Sequence, residues 1–484
     1  MDTYSLKNIT KFLSIIGIAV SIFFLLPIFV GYIYHESILP FLFFDMFLAA
    51  LSVSFFMYLN DHQMKLSIKS GILSVNLVWI LLGFSGAIPL MLYTDVSFAD
   101  AFFESISGFT TTGATIYSDI ESLPKSILML RSLMHWLGGM GIIVLGVGLF
   151  SIINPSGSMA LFKAESTGIK MEKMTPKIKD TAIRLWWVYT LFTFLDFLAL
   201  KLAGMSFFDA LNHACSTIST GGFSTKNSSL GYFDSSLIVW ITTFFMILSG
   251  INFLAHLRLL TSRDGSGYKR EEVFWYLAIF IFLSLALSAV LMFEKDYNIS
   301  FALTHASFTI ASVLTTTGFA TVDYEQWGQF AISIIFISML VGGNAGSTAG
   351  GVKVIRYIVL FKNLTMQLKL TLNPKEVVSL FIDKQKISTS IVNSTTGFIF
   401  LFILTNLSVS IYLFARGFDT LTSISTALAI VGNIGPGFAL SGPSLNYSFF
   451  SSIDKYILSF AMIAGRLEFY TVVLLFSRNF WKRF

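Results

Sequence analysis

The sequence predicts an all-α polytopic membrane protein, with four pseudo-symmetric helix–pore loop–helix repeats around one pore and an extra N-terminal helix pair. Three observations predict this architecture. The chain is too apolar for a water-soluble domain, and its apolar runs reach the length of a membrane span. In addition, four short polar segments built around a glycine interrupt those runs at similar intervals, which indicates an internal repeat.

The composition excludes a soluble globular domain. Hydrophobic residues make up 55% of the 484 residues and charged residues only 12%, whereas soluble chains carry roughly 25% charge. The mean hydropathy is +0.75, so the main solvent of this chain must be lipid. Cys215 is the single cysteine, which excludes an internal disulfide and a thiolate metal cluster. The first apolar run is too long for a signal peptide, and we interpret it as a retained membrane helix.

Apolar runs close to the bilayer-spanning length of about 20 residues predict about ten membrane helices. They lie at 9–34, 39–59, 70–93, 126–150, 182–203, 233–260, 273–293, 327–360, 390–415 and 455–477. Four shorter runs, which cannot cross a bilayer, lie at 98–109, 207–218, 301–314 and 418–431. Each shorter run leads directly into one glycine segment. Irregular backbone at membrane depth is tolerated only where it lines a watery cavity or is buried in protein.

This order of helix, half-helix, loop and helix divides the chain into units. The predicted units are an N-terminal helix pair at 1–69, repeat 1 at 70–153, a cytosolic linker at 154–181, repeat 2 at 182–262, repeat 3 at 271–362 and repeat 4 at 388–484. Ser97 and Ser206 each stand three residues before an aspartate, as in a capping box that opens a half-helix. The first aspartate precedes Gly113 by the same distance as the second precedes Gly222, which supports a repeat.

Lysine and arginine are concentrated in one set of loops. These residues are Lys163, Lys170, Lys173, Lys177, Lys179, Arg258, Arg263, Lys269, Arg270, Lys353, Arg356, Lys362, Lys369, Lys375, Lys384, Lys386, Arg478, Lys482 and Arg483. Positive loops stay in the cytoplasm, and the stretch 163–179 is interpreted as an amphipathic linker at the membrane surface. The glycine segments then face outward, beside Asp95, Asp119, Glu121, Asp234, Glu294, Asp296, Asp323 and Glu325. These carboxylates form either an acidic vestibule that concentrates cations or ordinary solvated loops.

The four glycine segments, which we call loops 1 to 4, have the chemistry of a cation site. They read TTTGAT at 110–115, STGGFS at 219–224, TTTGFA at 315–320 and GNIGPG at 432–437. The C-terminal ends of the preceding half-helices carry partial negative charge. Glycine permits close approach of the backbone, and a ring of backbone carbonyls replaces the water shell of K⁺. The alternative is four membrane-dipping turns that bind no ion.

The loops F-T-T-T-G-A-T, S-T-G-G-F-S, T-T-T-G-F-A-T and G-N-I-G-P-G resemble those of the Trk/Ktr/HKT superfamily of potassium uptake proteins, and the resemblance covers the whole chain. It implies one pore that transports K⁺ and also accepts Rb⁺, with a preference for K⁺ over Na⁺ because all four filter glycines are present. The ion-binding residues that it implies are Thr111, Thr112, Gly113, Thr220, Gly221, Gly222, Thr316, Thr317, Gly318, Asn433, Ile434 and Gly435. Loop 4 departs most from the pattern, since it lacks the threonines and contains Pro436.

A glycine-rich segment at 342–351 interrupts the apolar run 327–360. It comprises Gly342, Gly343, Asn344, Ala345, Gly346, Ser347, Thr348, Ala349, Gly350 and Gly351. It lacks the Lys-Ser/Thr ending and the preceding strand of a nucleotide-binding loop. Each glycine costs about 1 kcal/mol relative to alanine inside a helix, so we expect a break just below loop 3. The resemblance implies that this segment acts as a gate; the alternative is close helix packing through small residues.

Arg466 lies in the middle of the last predicted membrane helix. A lone guanidinium in hydrocarbon is costly, so it should face the interior and be paired. Glu468 lies off its helix face, which leaves carbonyls near the loops or the glycine-rich segment as the expected partners. The resemblance places this arginine in the pore below the filter. Our hypothesis is that Arg466 holds the gate shut or sets an electrostatic barrier; the alternative is a structural salt bridge.

The expected function is uptake of potassium across the bacterial inner membrane through a selective, gated pore, and not an enzymatic activity. The alternative is symport coupled to H⁺ or Na⁺, for which Asp196 and Glu468 are the main intramembrane carboxylates. An intramembrane enzyme would need a nucleophile and a base on facing helices, and the sequence offers no persuasive pair. No cofactor and no nucleic acid are expected. The resemblance implies a homodimer in lipid with a cytosolic nucleotide-binding regulatory subunit, TrkA, which would hold the nucleotide.

Overall fold

The computed structural model describes residues 3–62, 67–148 and 178–482, so most of the predicted linker at 154–181 lies outside the described residues. Its α-helices are α1 (Thr3–Ile33), α2 (Leu39–Tyr58), α3 (Ile68–Thr94), α4 (Phe98–Phe109), α5 (Lys125–Gly148), α6 (Ile178–Leu202), α7 (Phe207–Ile218), α8 (Ser236–Ser249), α9 (Phe253–Ser262), α10 (Glu271–Lys295), α11 (Ile299–Leu314), α12 (Gln329–Met339), α13 (Val354–Leu372), α14 (Thr389–Ala415), α15 (Thr420–Val431), α16 (Ser452–Arg466), α17 (Tyr470–Leu475) and α18 (Arg478–Trp481). A short antiparallel hairpin, β1 (Phe381–Ile382) with β2 (Gln385–Lys386), joins α13 to α14.

Six helices among the described residues are long and apolar enough to cross a membrane, namely α1, α2, α3, α6, α10 and α14. The pair α8 and α9, bent by 93°, would add a broken seventh span. The chain is therefore a multi-pass integral membrane protein. The number of continuous spans is below the expected ten, partly because the predicted runs at 233–260, 327–360 and 455–477 are each divided by irregular backbone. The second of these breaks is the predicted glycine-rich segment, and the other two were not predicted.

The four short helices α4, α7, α11 and α15 coincide with the four predicted half-helices to within two residues at either end. Each packs against the long helix that precedes it: α3 on α4, α6 on α7, α10 on α11 and α14 on α15. The extra pair α1 and α2 packs together, and α1 also contacts α3 and α5 of the first repeat. These contacts confirm the repeated architecture and set the short helices inside the bundle.

Each short helix begins at a residue whose side chain accepts a backbone N–H three residues on. These caps are Ser97, Ser206, Asn298 and Asp419. A cap of this kind is worth about 1 kcal/mol. At Ser97 and Ser206 the predicted capping box is formed only in part: the serine accepts the aspartate N–H, and its hydroxyl bonds the aspartate carboxylate at 2.6 Å and 2.7 Å. The four short helices nevertheless begin alike.

Candidate ion-binding site

The four short helices end in the same backbone motif. The residue after the helix cap has a positive φ, which is 55° at Thr111, 54° at Thr220, 57° at Thr316 and 54° at Asn433. The N–H of the next residue returns to a carbonyl five residues back, in the bonds Thr112 to Ser107 (2.9 Å), Gly221 to Ser216 (2.9 Å), Thr317 to Ser312 (2.8 Å) and Ile434 to Ala429 (2.8 Å). This is a Schellman motif, which satisfies the last carbonyls of a helix. Loop 4 therefore has the same backbone as the others, despite its different sequence.

Threonine is an unusual residue for this conformation. Positive φ is mostly occupied by glycine, asparagine or aspartate, and a β-branched side chain there is an outlier. Such backbone strain costs of order 1–3 kcal/mol per residue and persists where the surroundings enforce it, often at ligand sites. Thr111, Thr220 and Thr316 are all in this state, and each is at most 1% exposed. Three of the four loops are thus held in a strained conformation by their environment.

The four predicted filter glycines meet in a closed ring. They also have positive φ, namely 80° at Gly113, 87° at Gly222, 83° at Gly318 and 98° at Gly435. A Cβ built on any one of them would approach the carbonyl oxygen of the next loop to well within 3.0 Å, a distance that real Cβ atoms do not show. The pairs are Gly113 with Gly221 O, Gly222 with Thr317 O, Gly318 with Ile434 O and Gly435 with Thr112 O. Each loop thus abuts its neighbour, and the fourth returns to the first.

A cavity of about 100 Å³ adjoins the ring and is lined by all four filter glycines. The predicted carboxylates do not line this cavity within the described part of the chain, whereas Lys226 does. Asp119 instead accepts a hydrogen bond from the Asn227 amide at 3.0 Å, and Glu121 pairs with Lys226 at 3.7 Å. The described residues thus give this cavity no acidic lining, and two of the predicted carboxylates are engaged with neighbouring side chains.

A buried ion pair that the sequence analysis missed supports loops 1 and 2. Arg131 on α5 and Glu104 on α4 are 1% and 0% exposed, and their side chains are joined at 2.8 Å. Glu104 also accepts the Ile116 N–H at 2.8 Å, and Arg131 donates to the Ser224 carbonyl at 3.3 Å. The pair links the first short helix to the chain that leaves both loops. A glutamate and an arginine inside apolar runs were the available signal.

Tyr447 binds a carbonyl of the ring directly. Its hydroxyl donates to the Gly435 carbonyl at 2.7 Å, and its backbone N–H donates to the Thr115 carbonyl at 2.8 Å. The side chain is 3% exposed. It therefore joins loop 4 to the last residue of loop 1, and no local sequence signal marked it.

The glycine-rich segment lies against the other side of the ring. It is non-helical over 342–351, as predicted. Gly350 N–H donates to the Thr316 hydroxyl at 2.7 Å, and Gly351 N–H donates to the Gly432 carbonyl at 3.0 Å. The segment contacts residues that precede the filter glycines, whereas the cavity is lined by residues that follow them. The segment and the cavity therefore lie on opposite sides of the ring.

Arg466 joins the glycine-rich segment to α5. Its guanidinium donates from Nη1 to the Thr348 carbonyl at 3.0 Å and from Nη2 to the Gly138 carbonyl at 3.5 Å. Arg466 is 4% exposed, and its Nε has no hydrogen-bond partner among the described residues. The predicted contact with the segment is present. Within the described ranges its partners are carbonyls and not a carboxylate, so the charge is incompletely compensated.

The two intramembrane carboxylates singled out from the sequence differ in their surroundings. Glu468 pairs with Arg356 at 2.9 Å and with Lys353 at 3.3 Å, and the Arg356 guanidinium lies 3.5 Å from the centre of the Phe398 ring. Asp196 on α6 is 0% exposed, and neither of its oxygens has a hydrogen-bond partner in the described part of the structure. Glu468 is thus a structural anion, whereas Asp196 has no ionic role that the fold explains.

Comparison with known proteins gives a family to this arrangement. Residues 40–483 match the TrkH family, described as cation transport protein. The chain is 36% identical over 489 residues to the Trk system potassium uptake protein TrkH of Halomonas elongata, a match that covers 99% of this chain and 100% of the relative. It is also 36% identical over 483 residues to the protein of that name in Escherichia coli K12, covering 98% of this chain and 99% of the relative.

The solved structures agree with the sequences. The crystal structure of the potassium transporter TrkH from Vibrio parahaemolyticus matches with a TM-score of 0.89 and 32% sequence identity, covering 99% of this chain and 100% of that chain. The match therefore includes the ring, the glycine-rich segment and the N-terminal pair. On these grounds the chain belongs to the TrkH family of cation transport proteins.

Proposed function

We propose that this protein takes up potassium across the membrane through a selective, gated pore. The closed contact between loops 1 to 4 is the observation that carries the proposal. Four helix ends directed at one ring favour a cation there, and carbonyls held at fixed positions replace the hydration shell of K⁺. The names of the relatives, which are potassium uptake proteins, support the same ion. The proposal requires no covalent chemistry.

The proposed filter consists of the twelve residues that the family resemblance implied. Thr111, Thr220, Thr316 and Asn433 would place their carbonyls on one level, and the residues that follow them would form the next. The repeated φ values support this assignment, because the same backbone presents its carbonyls in the same way in every quarter. Strain at the threonines supports it further, since strain of this kind gathers at binding sites.

The proposed gate is the glycine-rich segment together with Arg466. Gly350 and Gly351 contact loops 3 and 4, and the Thr348 hydroxyl donates to the Ile218 carbonyl at the end of the second short helix at 3.1 Å. The segment therefore meets three quarters of the ring. Both polar atoms of the buried Asn344 amide lack a partner in the described residues, which favours a second arrangement in which they are satisfied.

Arg466 would add an electrostatic barrier to this gate. Its charge lies beside the segment with one nitrogen unpaired, and repulsion between a guanidinium and K⁺ is strong where water is excluded. Opening would then require Arg466 to leave the Thr348 carbonyl or to gain a counter-charge. This is why we place the segment and the arginine in one functional unit.

We further propose the predicted units for this chain, with the helix pair at 1–69 and repeats at 70–153, 182–262, 271–362 and 388–484. The proposed location is a bacterial inner membrane. The proposed assembly is a homodimer with a cytosolic nucleotide-binding subunit of the TrkA type. Basic residues on the cytosolic side support an acidic partner there; the exposed ones include Arg263, Lys269, Lys369, Lys375, Lys384 and Lys386.

Flux of ⁸⁶Rb⁺ into liposomes that contain the purified protein tests the filter. We expect uptake that K⁺ suppresses more strongly than Na⁺, and a weaker preference in Gly113→Ser, because the new Cβ would collide with the Gly221 carbonyl. Gly141→Ser is the matched control, since no atom of the described residues lies within 4 Å of a Cβ at that position. Absence of Rb⁺ flux, or an unchanged ion preference in Gly113→Ser, would overturn the assignment.

A second candidate function, symport with H⁺, rests on Asp196. Asp196 is 0% exposed, and buried intramembrane acids of this kind occur in proton relays. The Thr217 hydroxyl on α7, which donates to the His213 carbonyl at 2.8 Å, is the polar side chain that acts on Asp196. If symport operates, a pH gradient alone drives Rb⁺ uptake at zero membrane potential, and Asp196→Asn abolishes it. Uptake that follows only the potential excludes this function.

A further inference from the structure

His135 on α5 lies between the end of the first short helix and loop 2. Its Nδ1 is 2.7 Å from the Gly108 carbonyl oxygen, and its Nε2 is 3.1 Å from the Phe223 backbone nitrogen. The imidazole stacks on the Phe223 ring with a centroid distance of 4.1 Å and an interplanar angle of 21°. The residue is 0% exposed. One side chain thus holds two quarters of the ring together.

The partners of His135 fix its protonation. A carbonyl oxygen only accepts, so Nδ1 must carry the hydrogen; a backbone N–H only donates, so Nε2 must present its lone pair. The side chain is therefore a neutral imidazole with the hydrogen on Nδ1.

The contacts of His135 flank the filter glycine of loop 2. Phe223 follows Gly222 directly, and a Cβ at Gly221 would collide with the imidazole ring. The imidazole ring therefore packs directly against Gly221, and its Nε2 accepts a hydrogen bond from the Phe223 N–H. The Gly108 carbonyl that it binds also accepts the Thr111 N–H at 3.1 Å, within the motif that forms loop 1.

Loop 2 needs this support because it lacks a bond that two other loops contain. In loop 1 the hydroxyls of Thr110 and Thr112 are joined at 2.7 Å. In loop 3 the hydroxyls of Thr315 and Thr317 are joined at the same distance. The second threonine of each pair is replaced in loop 2 by Gly221, which has no side chain.

Loop 4 has a support of its own. The Asn433 amide donates to the Thr112 hydroxyl at 2.9 Å and to the Met462 carbonyl at 3.1 Å. Loop 2 is therefore the quarter that has neither the threonine pair of loops 1 and 3 nor the asparagine amide of loop 4. In loop 2, His135 accepts the backbone N–H that directly follows the filter glycine.

We infer that His135 is a positioning residue for ion selectivity, which holds loop 2 through the lone pair of its Nε2. The inference rests on the proposed function, since it assumes that the ring is the selectivity filter. It predicts that removing the acceptor at this point changes which ion is preferred. A residue that served only the stability of the fold would change the amount of active protein and leave the preference unaltered.

Two substitutions separate the two hydrogen bonds of the imidazole. The amide of His135→Asn can replace Nδ1 as donor to Gly108, whereas the amide oxygen of His135→Gln can replace Nε2 as acceptor for Phe223. We expect the K⁺ to Na⁺ preference in ⁸⁶Rb⁺ competition to fall about fivefold in His135→Asn, as for one lost hydrogen bond, and to be largely retained in His135→Gln. Ser132→Ala on α5 is the control, because its hydroxyl bonds the Leu128 carbonyl of its own helix.

An unchanged preference in both variants, or an equal loss in both, would overturn the inference. If His135→Asn does not fold, ¹⁵N NMR of the histidine-labelled wild type in lipid provides a second test. The His135 signals are assigned as those that are absent from the spectrum of His135→Gln. A protonated Nδ1 with a bare Nε2 at neutral pH supports the inference, and the opposite tautomer or an imidazolium overturns it. A wild type without ion preference would instead overturn the proposed function, while the NMR result would still decide the tautomer.

Discussion

Two irregular stretches of backbone meet at the centre of this protein, and they carry positive φ on different residues. In the ring, Thr111, Thr220, Thr316 and Asn433 have positive φ in addition to the filter glycines. In the glycine-rich segment, the residues with positive φ are Gly342, Gly346 and Gly351. Glycine adopts this conformation without a steric penalty, whereas threonine is held there only by its surroundings.

The difference shows how two irregular, glycine-containing stretches of backbone can have different mechanical roles. The ring is enforced from outside, by the buried pair of Glu104 and Arg131 and by the Tyr447 hydroxyl. The segment includes the buried Asn344 amide, which has no hydrogen-bond partner within the described residues. This contrast fits the proposed roles, in which the ring is the fixed coordination site and the segment is the element that moves.

Breaking the ion pair behind the ring should have the largest effect. In Glu104→Gln the Arg131 charge remains buried without its anion, which costs about 3–5 kcal/mol. We expect a marked fall in the thermal unfolding temperature in detergent, with loss of Rb⁺ flux. Glu121→Gln removes a longer, partly exposed pair with Lys226 at 3.7 Å and should cost less than about 1 kcal/mol. Equal stability of the two variants would show that the ring is not enforced from α5.

Removing the charge beside the segment should have an intermediate effect. Arg466→Ala takes away the hydrogen bond to Thr348 and the positive charge, so we expect basal Rb⁺ flux to rise about tenfold, equivalent to about 1.4 kcal/mol. Arg478→Ala, at an exposed arginine of the same repeat, should leave the flux unchanged. A basal flux in Arg466→Ala equal to that of the wild type would contradict the gating role.

The smallest effect should come from the contact between the two regions. Thr316→Val keeps the side-chain shape but removes the hydroxyl that accepts the Gly350 N–H. We expect basal flux to rise about fivefold, because the segment loses one hydrogen bond of about 1 kcal/mol while the ring keeps its backbone. Thr243→Val is the control, because its hydroxyl bonds the Val239 carbonyl of its own helix. A change in ion preference instead of flux would mean that the ring itself has moved.

The sequence predicted those features that leave a local signal. Short apolar runs ending at glycine located α4, α7, α11 and α15, and five glycines inside an apolar run located the segment at 342–351. Because a charge in lipid is costly in free energy, we could predict that Arg466 faces the interior and binds a carbonyl oxygen. In each case the residue types alone impose a physical constraint, so few structures other than the predicted one were possible.

Other features depend on contacts between distant parts of the chain. The break before α17 contains neither glycine nor proline, and Glu468 and Phe469 take positive φ because packing overrides their local preference. Glu104, Arg131 and His135 are individually visible as polar residues in apolar runs. The bond between Glu104 and Arg131, and the bonds of all three side chains to loops 1 and 2, join distant parts of the chain. The periodicity of the sequence therefore could not predict them. The assignment of filter and gate residues stays a prediction.

Because the four quarters belong to a single polypeptide, each is encoded by a different part of the gene and can be mutated separately. A substitution at His135 alters one side of the ring only, whereas in an assembly of identical subunits the same change would appear on every side. The quarters can therefore diverge, one held by paired threonines, another by an imidazole and another by an asparagine amide. Mutational scans should accordingly find that loops 1 to 4 differ in their tolerance to substitution, although the ring that they form looks symmetric when viewed along its axis.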